Sequence, residues 1–162
     1  MADLLDANEI FTTAYEPKVQ NRFIMYLDGI PAYLIKTAGR PSINLNEIVL
    51  EHINLKRYVK GKAEWQTLEI TMYDAVVPSA AQAVMEWVRL AHESVTGRTG
   101  YADFYKKDIT INVLGPVGDK VEEWTLKGAF PTAVNMNGLD WGAQDALMVN
   151  VTLRFDYAIL QY

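Results

Sequence analysis

From Asn21 onward, hydrophobic and polar residues change places at every second position over much of the chain. This is the period of a β-strand with one face buried. Phe23, Met25 and Leu27 alternate with Arg22, Ile24, Tyr26 and Asp28, and Asp28-Gly29 offers the positive φ of a tight hairpin turn. A return strand is predicted over about Ala32 to Thr37, stopped by Gly39 and Pro41, and another extended run from Asn44 to His52. Trp65 to Tyr73 sets Leu68, Ile70 and Met72 on one face and Thr67, Glu69, Thr71 and Tyr73 on the other. Lys107 to Leu114 places Ile109, Ile111 and Val113 together. A Gly115–Asp119 turn leads to a strand over Val121–Lys127, and a further strand begins near Thr132. The longest alternation closes the chain. Leu147, Val149, Val151, Leu153, Phe155 and Tyr157 face away from Met148, Asn150, Thr152, Arg154 and Asp156, and the whole reads as one half-buried antiparallel strand.

One segment changes period. Ser79 and Gln82 form a capping-box pair, and Val84, Trp87, Val88, Ala91 and Val95 fall on one helical stripe. Thr96-Gly97 supplies a left-handed stop, so the helix is expected at about 80–95, with Glu86, Arg89 and Glu93 on its wet side. Seven or so strands around one helix give a mainly β (α+β) fold: two packed antiparallel sheets, sandwich or barrel, with one flanking helix. Residues 1–20 lack this patterning. They hold four acids (Asp3, Asp6, Glu9, Glu16) before the first base, Lys18, and read as an N-terminal arm to a single domain at 21–162.

Composition narrows the function. The 162 residues are 50% hydrophobic and 22% charged, which suits one folded domain. A net charge of −5 argues against phosphate binding as a default. The absence of cysteine excludes disulfides, thiolate nucleophiles and cysteine metal sites. The two histidines give little acid–base chemistry: His52 follows Glu51 in a strand, where neighbours point to opposite faces, and His92 lies beside Glu93 on a helix surface. Glu122-Glu123 and Asp140…Asp145 are acid pairs with nothing to converge on. Gly97-Arg98-Thr99-Gly100 follows a helix and lacks the Gly-Lys-Ser/Thr of a phosphate loop. No catalytic, cofactor or metal residue is nominated, and no cofactor or enzymatic activity is expected. The acidic start is unlike a signal peptide, and no apolar stretch reaches the ~20 residues of a membrane span. Synthesis and retention in a cytosol are expected.

Two features point to self-association instead. Tyr101, Phe104, Tyr105 and Trp141 fall in loop or strand-end positions, more aromatic surface than a monomer usually exposes. The long terminal strand carries no internal proline, and only one lysine-rich stretch is available to guard a sheet edge. That stretch, Ile53–Lys62, holds Lys56, Arg57, Lys60 and Lys62 with no acid and is broken by Gly61.

Several of these pieces, in this order and spacing, resemble the tail tube proteins of contractile-tailed bacteriophages over about Asn21 to Tyr157. They are the opening Asn21-Arg22-Phe23-Ile24-Met25 and the glycine-broken basic hairpin that feeds Trp65-Gln66-Thr67-Leu68-Glu69-Ile70-Thr71. A central helix with Trp87 follows. The closing pattern is Leu126-Lys127-Gly128-Ala129-Phe130-Pro131-Thr132, Leu139-Asp140-Trp141 and the strand ending Phe155-Asp156-Tyr157. The resemblance implies a structural virion protein. Homohexameric rings would join their sheets in one barrel and stack into the inner tube of a contractile tail, the conduit for genome ejection. Implied partners are the tail sheath protein, a baseplate or tube initiator and the tape measure protein. DNA would transit the lumen without specific binding, and assembly would take place in the host cytoplasm. Tube proteins of type VI secretion and extracellular contractile injection systems share the fold and form the alternative. The absence of an attached effector domain favours the phage tube.

In that setting a hairpin at 53–64 becomes an inter-subunit assembly element through Lys56, Arg57, Tyr58, Lys60 and Lys62, with the acidic arm of a neighbour as its first expected partner. A barrel closed across subunits would pair every edge strand. Two polar strand faces qualify for the lumen: Thr67, Glu69 and Thr71, or Asn150, Thr152, Arg154 and Asp156.

Overall fold

The computed structural model describes residues 16–162; most of the predicted acidic arm, residues 1–15, lies outside the described residues. The strands are β1 (Phe23–Leu27), β2 (Ile35–Ala38), β3 (Ile43–His52), β4 (Leu55–Trp65), β5 (Leu68–Tyr73), β6 (Lys107–Leu114), β7 (Lys120–Asn135), β8 (Met148–Arg154) and β9 (Tyr157–Leu160). The helices are α1 (Ala80–Ala91) and the short α2 (Ala102–Tyr105).

β7 organises the molecule because it belongs to two sheets. Its first half pairs with β6 and β9, and its second half, from Phe130, pairs with β8. One antiparallel sheet therefore runs β1-β6-β7-β9 and the other β7-β8-β5-β2. The strand bends at Gly128, whose φ of 67° is cheap only without a Cβ; a Cβ there would also collide with the Asp156 carboxylate. The two sheets close on each other through the predicted inward faces: Leu68, Ile70 and Met72 of β5, Ile109 and Ile111 of β6, and Val149, Val151 and Leu153 of β8 are all buried. α1 adds Ala80, Val84 and Trp87 to the same core. Ser79 caps it by accepting from the Gln82 amide, and the Trp87 indole donates to the Tyr105 carbonyl at 2.6 Å. The sandwich with one flanking helix is thus the observed fold.

Four local expectations are corrected. Gly29 does turn with φ 84°, but no β1 hairpin forms. Ile30 and Leu34 are buried, and a 3-10 turn at Ala32–Leu34 carries the chain across the core, so β2 pairs with β5 while β1 pairs with β6. The helix ends at Ala91, since His92 is already extended; Gly97, with φ 69°, turns the following loop, and Val95 is 93% exposed rather than on the core stripe. The strands expected at Val121–Lys127 and near Thr132 are the two halves of β7. The single terminal strand is two. Phe155 is buried, Asp156 donates its amide to the Lys127 carbonyl, and the chain bends there from β8 in one sheet to β9 in the other.

Candidate functional site

β3 and β4 form a ribbon of their own, a two-stranded sheet paired from Ile43↔Trp65 to His52↔Leu55. The predicted basic hairpin is the return strand of this longer hairpin. Gly61 does not break it. It lies inside β4 where the register shifts, and a Cβ there would come within 2.8 Å of the Asn46 carbonyl oxygen, so the glycine admits a bulge. At the base, the Trp65 ring packs on Phe155 with centroids 5.8 Å apart, and Arg154 donates to Glu64 at 3.0 Å. Beyond that base nearly every residue is exposed.

Pairing changes the expected charge of this element. Lys56 stands opposite Glu51, with an ion pair of 3.8 Å, and Lys60 stands opposite Glu47. Arg57 is opposite Leu50 and Tyr58 opposite Val49, so Arg57 and Lys62 are the bases without an acid across the ladder. The acid-free surface read from the linear run is therefore half neutralised by β3. Ile48, Leu50, Leu55 and Val59 share the exposed face that carries Arg57, and Ile53 stands at the tip, fully exposed with φ 36°.

The two polar sets that periodicity left as alternatives lie on one face. In the β5–β8 ladder Glu69 is opposite Thr152 and Thr71 opposite Asn150, and the Thr71 hydroxyl donates to Asn150 Oδ1 at 3.0 Å. Ala133 and Asn135 of β7 extend that face, and Lys36 lies over the Tyr73 ring at its end. Arg154 belongs to it with its guanidinium on Glu64. Thr67 stands just before β5. Asp156 is a correction: it lies past the end of β8, in the bend, and binds Lys106 at 2.9 Å. This sheet is bounded by β2 and the second half of β7, each with a ladder partner on one side only among the described residues.

A third feature escaped the sequence reading. A cleft of about 560 Å³ opens between β1–β6 and β2, with Phe23, Ile111 and Val113 on its floor and Lys18, Arg22 and Arg40 around it. Glu122 is buried there. It accepts from Lys18, from Arg40 at 2.6 Å and from the Trp124 indole. Burial alone pushes its carboxyl up, but these three donors outweigh it and bring the pKa to about 2. The signal was present: Glu122, Trp124 and Leu126 alternate on the inward side of β7, where an acid requires partners. Among the described residues no cluster of His, Asp or Glu is placed to hold a metal, His52 and His92 lie far apart in the chain on exposed positions, and no helix is long and apolar enough to cross a membrane.

The family described as T4-like virus tail tube protein gp19 matches residues 51–159. A tail tube protein of Serratia phage KSP90 is 25% identical over 114 residues, 70% of this chain and 64% of that protein, so the match spans less than two thirds of the relative's length. Two solved structures share the fold. One is the anti-feeding prophage tube-terminating cap (TM-score 0.76, 19% identity, 97% of this chain and 99% of the other). The second is the extended sheath–tube complex of an extracellular contractile injection system, PVC (TM-score 0.72, 19% identity, 98% and 99%).

Proposed function

This chain belongs to the T4-like virus tail tube protein family, and from that premise we propose that six copies close into a ring through the β7-β8-β5-β2 sheet and that the rings stack into the inner tube of a contractile phage tail. The observation that carries the reading is the shared polar face on a sheet whose two edges are unpaired among the described residues. If β2 of one copy pairs with the second half of β7 in the next, every edge of that sheet is satisfied and the face lines a lumen. Glu69, Thr71, Asn150, Thr152 and Arg154 then face the passage. Arg154 is neutralised by Glu64, so a polyanion meets few free bases and slides instead of binding.

In this role the protein is structural rather than catalytic. Its partners are further copies of itself, the sheath outside, an initiator at the baseplate and the tape measure protein within. It is assembled in the host cytoplasm and resides in the virion tail. The ribbon reaches a neighbouring copy through Arg57, Tyr58 and Lys62, with Lys56 ion-paired to Glu51 and Lys60 opposite Glu47. The phage setting is favoured over an injection system because both the family and the phage relative match at the level of sequence.

Negative-stain microscopy of concentrated protein tests the proposal, with annular hexamers or hollow filaments as the expected result. A strict monomer, even with a baseplate nucleus added, overturns it. The lumen assignment has its own test: filaments of the Thr71→Lys/Asn150→Lys variant should retain DNA that wild-type filaments release. Equal retention by both would place this face elsewhere.

A further inference from the structure

The cleft beside Glu122 has an apolar floor and a basic rim. Lys18 and Arg40 both bind Glu122, and Arg22 has no acid within ion-pair distance among the described residues. Lys36 also lines the cleft, so with one acid against four bases it keeps a net positive charge, and Phe23, Ile111 and Val113 lie beneath it. An occupant must therefore be both apolar and acidic. The sequence contains such a segment in Asp3-Leu4-Leu5-Asp6, two leucines between two acids, within a stretch of 16 residues that has four acids and no base.

We propose that residues 3–6 of a neighbouring copy dock in this cleft, Leu4 and Leu5 on the floor and Asp3 and Asp6 toward Arg22 and the other rim bases. The proposal rests on the reading that copies associate. It replaces the ribbon as the arm's receptor, because Glu47 and Glu51 already face two of the ribbon's bases. A neighbour's segment fits better than the chain's own. Lys18 is fixed on Glu122 at the cleft, and Pro17 biases Glu16 to extended backbone. Fifteen extended residues reach roughly 50 Å, more than the width of a domain with a radius of gyration of about 15 Å.

The chain has no cysteine, so introduced pairs report cleanly. Full-length Leu5→Cys and Ala38→Cys copies, tagged to differ in mass, are mixed under assembling conditions and oxidised. Ala38 lines the cleft and is partly buried. A covalent heterodimer is expected, and the double variant should give a ladder of linked copies. Arg22→Glu should lower the yield several-fold, and Asp3→Lys/Asp6→Lys in the other copy should restore it. Filaments that form without the cross-link overturn the docking alone, and so does a double variant that yields only an internal disulfide. Failure of the wild type to assemble, seen by microscopy, overturns the assembly reading and the docking together.

Discussion

Arg40 donates to Glu122 over 2.6 Å and so ties the segment entering the ribbon to the inner side of the opposite sheet. Lys18 holds the other carboxylate oxygen, which fixes the base of the arm at the same point. One buried carboxylate thus anchors the roots of two projecting segments. Because its folded pKa lies near 2, below the ordinary 4.5, its contribution is complete above pH ~4.5 and is lost as pH falls toward 2. The contribution is under about 3 kcal/mol, since Lys18 and Arg40 are more than half exposed and screened. Urea midpoints measured from pH 7 down to 2.5 should fall more steeply for wild type than for Glu122→Gln, and the variant should be less stable at pH 7. Parallel acid limbs would show that Glu122 does not carry the effect.

Trp87 is buried at the centre of α1 and its indole donates to the Tyr105 carbonyl. Trp87→Ala should cost roughly 3–5 kcal/mol, a large part of a typical domain's ~5–15 kcal/mol. Trp87→Phe keeps most of the packing but leaves that carbonyl unpaired, at a cost of about 1–3 kcal/mol. Calorimetry on the two variants checks the order; a Trp87→Phe variant as stable as wild type would mean the hydrogen bond contributes nothing, and equal losses would mean the retained ring packing does not.

The faces of the strands were legible in the sequence and their connections were not. Leu68, Ile70 and Met72, or Val149, Val151 and Leu153, announce their burial by period alone. Periodicity is local, however, and says nothing of which strand lies beside which. Hence the two polar sets of β5 and β8 read as alternatives although register joins them. The same limit concealed the ribbon's charge balance, because Glu47 and Glu51 are distant from Lys60 and Lys56 along the chain and adjacent only once paired. The alternation through Phe155 and Tyr157 hides a bend at which the inward face changes parity: Tyr157 is exposed opposite Lys127 and Ala158 lies opposite buried Leu126, but an apolar residue at 157 prolongs the pattern. Glu122 was missed as a site because an acid pair on paper reads as surface.

The corrected ribbon calls for a corrected charge test. Reversing Lys56 and Lys60 would set glutamates opposite Glu51 and Glu47 and disturb the ribbon itself. Arg57→Glu/Lys62→Glu leaves those pairs intact. It should give a folded monomer, by circular dichroism, whose filament yield drops and whose wild-type counterpart weakens in high salt. Unchanged yield would make these two bases solvated surface.

Gly128 lets β7 serve both sheets. Ala at φ 67° is strained, and its methyl would strike the Asp156 carboxylate. Gly128→Ala should therefore lose about 1–3 kcal/mol. Adding Asp156→Ala removes the clash and should recover part of the loss, while the strain at φ remains. Full recovery would show that the backbone angle costs nothing.

The tip of the ribbon pits stability against assembly. Ile53 holds φ 36°, a conformation that β-branched residues rarely adopt, and its side chain is fully exposed. A turn that served only its own hairpin would carry Asn or Gly there. An apolar residue kept in a strained position, with nothing among the described residues to cover it, fits a contact made by another copy. Ile53→Asn relieves the strain, since asparagine tolerates the left-handed region, so the monomer should melt at the same temperature or higher. Filament formation, followed by light scattering against concentration, should need more protein. A variant that is as stable as wild type and assembles at the same concentration would remove Ile53 from the interface. One that is less stable would remove the strain argument.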